Sequence, residues 1–413
     1  MEKKKAFYGW VVVAACFILT MFPMVFVSNT FSYYQYPICG ELGVSYVEFN
    51  VASVCSTVAS MAFSFLLAGR LARGNMRRWV LVGGIVVSAS VFAQSLVTSM
   101  WQLDVVFFLT NFALSTLTYI PINTLISNWF VEKKALATSI AFVGSNIGGV
   151  IFTPVVSRLI EQQGWRFSFQ VSAVVVLVSA IVVSILVRKS PAEMGQEALG
   201  KNGGDAAAKT ASGDAYGLTK AEAMKTGAFW LLIATVLCCG MLSAGIMTQV
   251  PTYLIENAVD YALVMSAYSG VSILAKPVMG VLYDKIGLFK GIMLNALLGA
   301  AALGLLILAP GSGSFAVVSV SVLSFGLAVG TLAPPLIVGR LFGSKDYGAI
   351  YGMVNIGFMA GCMIGPMLSS AIRTVTGSYG AAWIAYIVIF AVLAVFTKLA
   401  LNAGSALQEK VAR

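Results

Sequence analysis

The sequence predicts an all-α membrane protein with twelve transmembrane helices in two parallel six-helix halves. Of its 413 residues, 59% are hydrophobic and only 10% are charged, whereas soluble domains carry about 25% charged residues. About twelve apolar stretches are each long enough to cross a bilayer, which takes a helix of about 20 residues. The strands of a membrane β-barrel would instead be short and would alternate apolar with polar residues.

The predicted spans follow one another with short connections. The first follows three lysines, as in a signal peptide, but it is too long and lacks a small-residue cleavage site, so we interpret it as a retained helix. All but four of the 26 Lys and Arg residues lie on segments that are inside if the N-terminus is inside. Both termini are therefore predicted to be cytoplasmic. The spans are 9–36, 48–69, 79–98, 104–128, 135–157, 167–187, 228–251, 261–283, 289–309, 314–338, 347–372 and 380–401.

A polar segment between the sixth and seventh spans divides the chain into 1–187, 188–227 and 228–413. Its Gly, Ala and Ser residues and mixed charges are typical of a flexible linker. Its end differs, because Thr219 and Glu222 have the spacing of a capping box. We therefore predict a short amphipathic helix at the cytoplasmic face, before the second half begins.

The two halves repeat each other at a nearly constant offset. A shift of 212 residues places Gly149 on Gly361, and a shift of 211 places Gly69 on Gly280. Parallel repeats of this kind are found in secondary transporters, which hold their substrate near the middle of the membrane at the repeat interface.

Several function classes lack the residues they need. With no histidine in the chain, His relays, His metal ligands and Ser-His or Cys-His nucleophile pairs are excluded. The six cysteines form no CxxC pair, and GxxxxGK[ST] does not occur. We therefore predict no catalytic residues, no metal and no cofactor, and hence no enzyme. The net charge of +10 indicates basic cytoplasmic loops rather than nucleic-acid binding.

A charged motif follows the eighth span, with the sequence Gly280-Val-Leu-Tyr-Asp284-Lys285-Ile-Gly287. It resembles the cytoplasmic loop signature of the major facilitator superfamily, G-x-x-x-D-[RK]-x-G. The resemblance implies a tight turn at Gly287 and a carboxylate at Asp284 that caps or pairs at the cytoplasmic gate. In the first half, Arg73 occupies the position that matches Asp284.

Three further segments narrow the resemblance. YGWVVV at 8–13, WFVEKKALA at 129–137 and KTGAFW at 225–230 resemble segments of the monocarboxylate porters, and the bacterial oxalate:formate antiporter branch is the most similar group. The resemblance implies the major facilitator fold, a small carboxylate substrate and a monomer in the lipid bilayer. It also implies the inner membrane of a bacterium.

Lys276 lies deep within the eighth predicted span. It is eight residues before Asp284, or about 12 Å along a helix, where a charge costs roughly 2.5–3.5 kcal/mol on insertion scales. Related porters bind the substrate carboxylate with a basic residue at this position, before the matching Pro277. Animal porters have an Asp one turn earlier, where this chain has Ser272. We therefore expect the substrate to balance the lysine charge; the alternative is a side chain that extends to the head groups.

Other binding candidates come from matched segments. Tyr34 and Tyr119 match tyrosines that line the antiporter cavity, and Ser145 stands where that branch has another aromatic residue. The alternative for both tyrosines is a packing or interfacial role. Val354 takes the place of the antiporter's second cation, so we expect one carboxylate on the substrate rather than two.

Four neutral polar residues inside spans complete the candidates. Each could bind substrate or hydrogen-bond another helix, and the sequence favours neither. They are Asn29, Asn146, Gln249 and Asn355.

Small residues recur at intervals of four in two spans, as Gly357-x-x-x-Gly361-x-x-x-Gly365 and Gly144-x-x-x-Gly148. Such narrow faces permit close helix packing. They would serve static packing or the sliding of one half past the other.

The sequence thus predicts a secondary active transporter that works by alternating access and takes up a small organic anion, a monocarboxylate, with protons. The alternatives are carboxylate:carboxylate exchange of the oxalate:formate type and export of an amphipathic compound. In exchange, Lys276 crosses only with a bound anion; in symport, the empty carrier resets when Lys276 releases its proton. The sequence does not decide between the two mechanisms.

Overall fold

A computed structural model describes residues 7–44, 46–199, 217–308 and 311–412. In these ranges the chain is almost entirely helical, and its extended pairing is limited to isolated bridges such as Phe130 with Leu199. Helix is the expected form, because a helix satisfies its own backbone hydrogen bonds inside a bilayer. Residues 200–216 of the predicted linker lie outside the described residues.

The chain divides into two compact units. The first comprises Met1–Glu132 and Ile140–Gly203. The helices that begin in the first half of the chain are α1 Gly9–Met21, α2 Gln35–Leu42, α3 Tyr46–Leu66, α4 Ala68–Arg73, α5 Met76–Gln94, α6 Met100–Leu114, α7 Tyr119–Trp129 and α8 Lys134–Leu186.

The second unit comprises Lys133–Ser139 and Gly204–Arg413. It therefore includes the first residues of α8, whose remainder belongs to the first unit. Its other helices are α9 Lys220–Met224, α10 Gly227–Glu256, α11 Tyr261–Ile286, α12 Leu288–Leu308, α13 Gly313–Leu327, α14 Val329–Phe342, α15 Tyr347–Thr376 and α16 Tyr379–Ala412.

Ten helical stretches in the described ranges are long and apolar enough to cross a membrane. One of them, α8, contains two spans, because Gly164 breaks it with φ 83° and ψ 162°. The 21-residue α3 supplies another crossing, although only Val54–Leu66 is strongly apolar. Twelve crossings result, in agreement with the predicted fold class. The predicted connection at 158–166 contains this break but is shorter than expected, because one glycine at positive φ is enough to join the two helices.

The first span is irregular where a continuous helix was predicted. After α1 the chain forms a π-helix at Val25–Asn29 and then a 3-10 turn at Phe31–Tyr34. The Thr30 N–H donates to the Val25 carbonyl at 3.1 Å. The Thr30 hydroxyl donates to the carbonyls of Val25 and Phe26, each at 3.2 Å. Single π-turns are frequent at functional sites.

The small-residue faces serve close packing within each unit. In the second unit, a Cβ on Gly361 would collide with the Leu237 carbonyl of α10, and one on Gly365 would lie 2.6 Å from the Met241 carbonyl. In the first unit, a Cβ on Gly148 would lie 2.5 Å from the Met21 carbonyl at the end of α1. These glycines let the backbones of neighbouring helices approach each other.

The capping box predicted before the second half is present. The Thr219 hydroxyl accepts the Glu222 N–H at 3.3 Å, and the Glu222 carboxylate accepts the Thr219 N–H at 2.7 Å. Hydrogen bonds from the Thr219 hydroxyl and N–H hold the pKa of the Glu222 carboxyl below its usual value. The Lys220 N–H donates to Asp346 at 3.0 Å, which connects the short α9 to the start of α15.

Candidate functional site

Lys276 lies near the middle of the 24-residue apolar span Leu263–Ile286, and its side chain is half-buried. Pro277 follows it inside the same helix. Because proline has no N–H, it cannot bond the carbonyl of Ile273, four residues earlier. A cation and a helix carbonyl without its usual donor therefore occur together at mid-span.

Two hydroxyl groups precede Lys276 on α11 at helical spacing. Tyr268 and Ser272 lie eight and four residues before it, so that successive members of the row are neighbours on the helix surface. Ser272 is buried and Tyr268 is half-buried. Hydroxyl donors beside an ammonium group form a suitable binding set for a carboxylate. Tyr268 was not among the residues predicted from the sequence, although its spacing from Lys276 was the available signal.

The loop motif after this span contacts the start of α8. The Asp284 carboxylate accepts the N–H of Leu136 at 3.1 Å and the N–H of Ala135 at 3.3 Å. All three residues belong to the second unit. Asp284 therefore places a carboxylate at the N-terminal end of a helix, where negative charge is favourable.

The glycines of the same motif have distinct local roles. A Cβ on Gly280 would lie 2.6 Å from the Ser139 hydroxyl and 2.9 Å from the Ala135 carbonyl, so only glycine fits this approach. Gly287 has φ +89° and makes the turn into α12. Lys285, between them, is exposed.

A second cation near this motif was missed in the sequence. The Lys134 Nζ lies 4.5 Å from the centre of the Tyr347 ring, at cation–π distance. The Tyr347 hydroxyl donates to the Pro335 carbonyl at 3.0 Å, which fixes the ring. A Cβ on Gly339 would lie 2.7 Å from the ammonium nitrogen, so the glycine provides the space for it.

The remaining candidates of the second unit differ in their surroundings. Gln249 accepts a hydrogen bond from the Tyr379 hydroxyl at 3.0 Å and donates to Ser370 at 3.4 Å, so it connects α10 with α16 and α15. Asn355 and Val354 are buried on α15.

In the first unit, Tyr34 is fully buried. Its hydroxyl is 2.8 Å from the Ser168 hydroxyl, and its ring stacks on Phe169 with centroids 4.0 Å apart. Tyr119 begins α7 and stacks on Phe142 at 5.3 Å. Both tyrosines thus pack against α8.

Three polar candidates remain in the first unit. Asn29 is exposed at the end of the π-helix, and Asn146 is half-buried on α8. The Ser145 hydroxyl donates to the Phe142 carbonyl at 2.9 Å, so it is engaged within its own helix. Among the described residues, no group of three or more His, Cys, Asp or Glu side chains could hold a metal ion.

The twelve helical crossings in the described ranges, one of them with a cation at mid-span, define a multi-pass membrane protein. A family model described as Major Facilitator Superfamily matches residues 13–337 and 257–410. The chain belongs to this superfamily, and like its members it is a transporter rather than an enzyme.

Two solved structures show the same fold. A Major Facilitator Superfamily transporter, FucP, in an outward conformation has a TM-score of 0.72 at 12% identity, covering 94% of this chain and 97% of that chain. The proton:xylose symporter XylE bound to 6-bromo-6-deoxy-D-glucose also has a TM-score of 0.72 at 13% identity. The match covers 95% of this chain and 96% of that chain. At such low identity the likeness establishes the fold alone.

Curated relatives match over a shorter length. Monocarboxylate transporter 12-B of Danio rerio is 31% identical over 163 residues, which are 38% of this chain and 33% of the relative. Monocarboxylate transporter 12 of Homo sapiens is 26% identical over 166 residues, which are 38% of this chain and 31% of the relative. The chain thus spans about a third of the length of these relatives.

Proposed function

We propose that this transporter takes up a small organic monocarboxylate together with a proton. The observation that carries the proposal is Lys276, a cation near the middle of an apolar 24-residue span. Charged residues at that depth are costly and mark substrate or ion pathways. The monocarboxylate transporters that resemble this chain support the same substrate class.

In the proposed site, the Lys276 ammonium binds the substrate carboxylate. The hydroxyls of Ser272 and Tyr268 donate hydrogen bonds to the same carboxylate or to another acceptor on the substrate. A charge-assisted hydrogen bond of this type is roughly twice as strong as a neutral one. Neutralising the ammonium with a carboxylate also lowers the cost of carrying the charge through an occluded state. Lys276 thus couples substrate binding to the conformational cycle.

The proposed cycle alternates access between segments 1–187 and 228–413, in a bacterial inner membrane with both termini in the cytoplasm. After the substrate leaves, the amine releases its proton so that the empty carrier can return. The proton then has to be replaced from the outside before the next carboxylate binds, which gives uptake driven by a proton gradient. Strict exchange of one carboxylate for another is the competing mechanism.

Proteoliposomes test this proposal. We expect an inward proton gradient to drive labelled monocarboxylate into empty vesicles and an uncoupler to stop it. Lys276→Ala should abolish uptake, Lys276→Arg should retain part of it, and Lys225→Ala, which removes an exposed lysine, should have no effect.

Two results would contradict the proposal in different ways. Fast uptake only into vesicles preloaded with unlabelled carboxylate would replace symport by exchange and leave the site intact. Gradient-driven uptake in Lys276→Ala, equal to that of the wild type, would remove Lys276 from the site altogether.

A further inference from the structure

The first unit contains a strongly basic cavity that has no part in the proposed transport site. It has a volume of about 550 Å³, within the usual range of about 300–1,000 Å³ for small-molecule sites. It lies where α4 ends, α5 begins and α8 ends. Its polar lining residues are Arg73, Asn75, Arg77, Arg188, Lys189 and Glu193.

Hydrogen bonds hold the walls of this cavity in place. The Lys189 ammonium donates to the Arg73 carbonyl at 2.7 Å, which joins the end of α4 to the segment after α8. The Arg188 guanidinium donates to the carbonyls of Ile185 and Val187 at 2.7 and 2.9 Å. The side chains of Lys189 and Arg188 are therefore held in place, while Arg73 and Arg77 are exposed beside them.

The lining carries four cationic side chains and one carboxylate. That carboxylate, on Glu193, accepts the backbone N–H of Lys189 at 3.2 Å. Arginine forks match the geometry of phosphate oxygens, and several of them around one cavity favour an anion with several oxygens. The chain also has Arg73 where the second half has the helix-capping Asp284, at the repeat offset of 211, so the two units carry opposite charges at this position.

The walls of the cavity continue into membrane-facing helices. α5 and α8 pack together, since the Ser88 hydroxyl donates to the Ala173 carbonyl at 2.8 Å. Within two turns of the cavity, they carry the apolar side chains Val82 and Ile185, which are 57% and 54% exposed. A ligand with a phosphate head and apolar chains would contact both surfaces, with the head between the cations.

We propose that this cavity binds a phosphate group. An anionic phospholipid head group and free inorganic phosphate share this chemistry, and an experiment can separate them. The site would hold the phosphate at the end of the first unit's helices, away from Lys276 in sequence and in a different unit. Its occupancy would strengthen the junction of α4, α5 and α8, because every lining residue comes from the ends of these helices or from the adjoining segments.

The test compares nanodiscs of pure phosphatidylcholine with nanodiscs that also contain phosphatidylglycerol. In parallel, detergent-purified protein receives inorganic phosphate or chloride at equal ionic strength. The full-length chain is used as wild type, Arg77→Gln and Arg77→Gln/Lys189→Gln. Arg78→Gln is the matched control, because it removes the same charge from an exposed side chain of the same helix that does not line the cavity. The readouts are melting temperature and lipid retained in native mass spectrometry.

For a lipid ligand, we expect phosphatidylglycerol to stabilise the wild type and Arg78→Gln equally. The affinity for phosphatidylglycerol should fall about fivefold in Arg77→Gln, since each basic residue near an anionic surface contributes about that factor. It should fall further in the double variant.

If inorganic phosphate gives the same pattern and the lipid adds nothing, the ligand is free phosphate. Because Lys189 also bonds the Arg73 carbonyl, misfolding of the double variant leaves Arg77→Gln as the deciding comparison. Equal response of Arg77→Gln and Arg78→Gln to both ligands would overturn the site.

Discussion

The Asp284 carboxylate accepts a hydrogen bond from the backbone N–H of Leu136 at 3.1 Å. The Ala135 N–H donates to the other oxygen of the same carboxylate at 3.3 Å. Backbone N–H groups in the first turn of a helix have no intrahelical acceptor, and the N-terminal end of the helix attracts negative charge. Asp284 satisfies both needs, so the end of α11 stabilises the beginning of α8.

We expect Asp284→Ala to destabilise the protein by about 1 kcal/mol, the usual effect of losing a helix cap. Asp284→Asn should lose less stability, because the amide oxygen of asparagine can still accept a hydrogen bond from one of the two N–H groups. Thermal unfolding of purified protein measures the effect, and Lys285→Ala is the control at the neighbouring exposed position. If Asp284→Ala melts at the wild-type temperature, the cap does not contribute to the stability of this state.

The charge of the substrate should decide affinity at the proposed site. A second carboxylate would be desolvated near Lys276 with only one cation identified for the pair, and burying such a charge is costly. We expect a monocarboxylate to bind at least about tenfold more tightly than a dicarboxylate of similar size, a difference of about 1.4 kcal/mol. Competition against labelled uptake gives the ratio. Tighter binding of oxalate or succinate would require another cation at the site.

The hydroxyl of Tyr34 should act mainly through Ser168. We expect Tyr34→Phe to lower stability by about 1 kcal/mol, typical for a hydrogen bond, and to leave the KM for substrate unchanged. A double-mutant cycle with Ser168→Ala should show that the two losses are not additive, because both variants break the same bond. A large change in KM with unchanged stability would assign Tyr34 to the substrate instead.

The glycine face of α15 should tolerate no larger residue at its centre. We expect Gly361→Ala to destabilise the protein or prevent its folding, because the new Cβ would collide with the Leu237 carbonyl. Gly304→Ala on α12 is the matched control, since no atom beyond the adjacent residues and the backbone of its own helix lies within 4 Å of its Cβ position. There the higher helix propensity of alanine should be neutral or slightly stabilising. Equal melting temperatures for the two variants would contradict the close contact.

The capping box at Thr219 should give α9 an acid-sensitive component. Because the folded-state pKa of Glu222 is lowered, its contribution is present above the unfolded-state pKa, about 4.3 for Glu. It is lost as the pH falls through the folded-state value. We expect hydrogen exchange at 220–224 to speed up in acid, measured against the same segment in Glu222→Gln. In that variant the amide keeps an acceptor but cannot titrate, so an identical pH profile would exclude Glu222 as the cause.

The number and order of the membrane spans could be predicted because they depend on apolar length and charge, which are local properties of the sequence. The capping box was predictable for the same reason. The π-helix at Val25–Asn29 and the one-residue junction at Gly164 were not, since both depend on which hydrogen bonds the packed helices permit. The cation–π contact of Lys134 joins residues more than 200 positions from each other, and no spacing rule in one sequence reveals it.

The π-helical turn at Val25–Asn29 gives the first span one residue more than an α-helix of the same length would hold. Deleting a single residue there, such as Ser28, would allow a regular helix to continue. Because the wide turn absorbs the extra residue, the side chains beyond the deletion would keep their direction around the helix axis. Tyr34 would still face Phe169. The same deletion in the regular α-helix of Gly9–Met21 would instead rotate every later side chain by about 100°, so this turn is the place where the span can lose a residue without turning its far end.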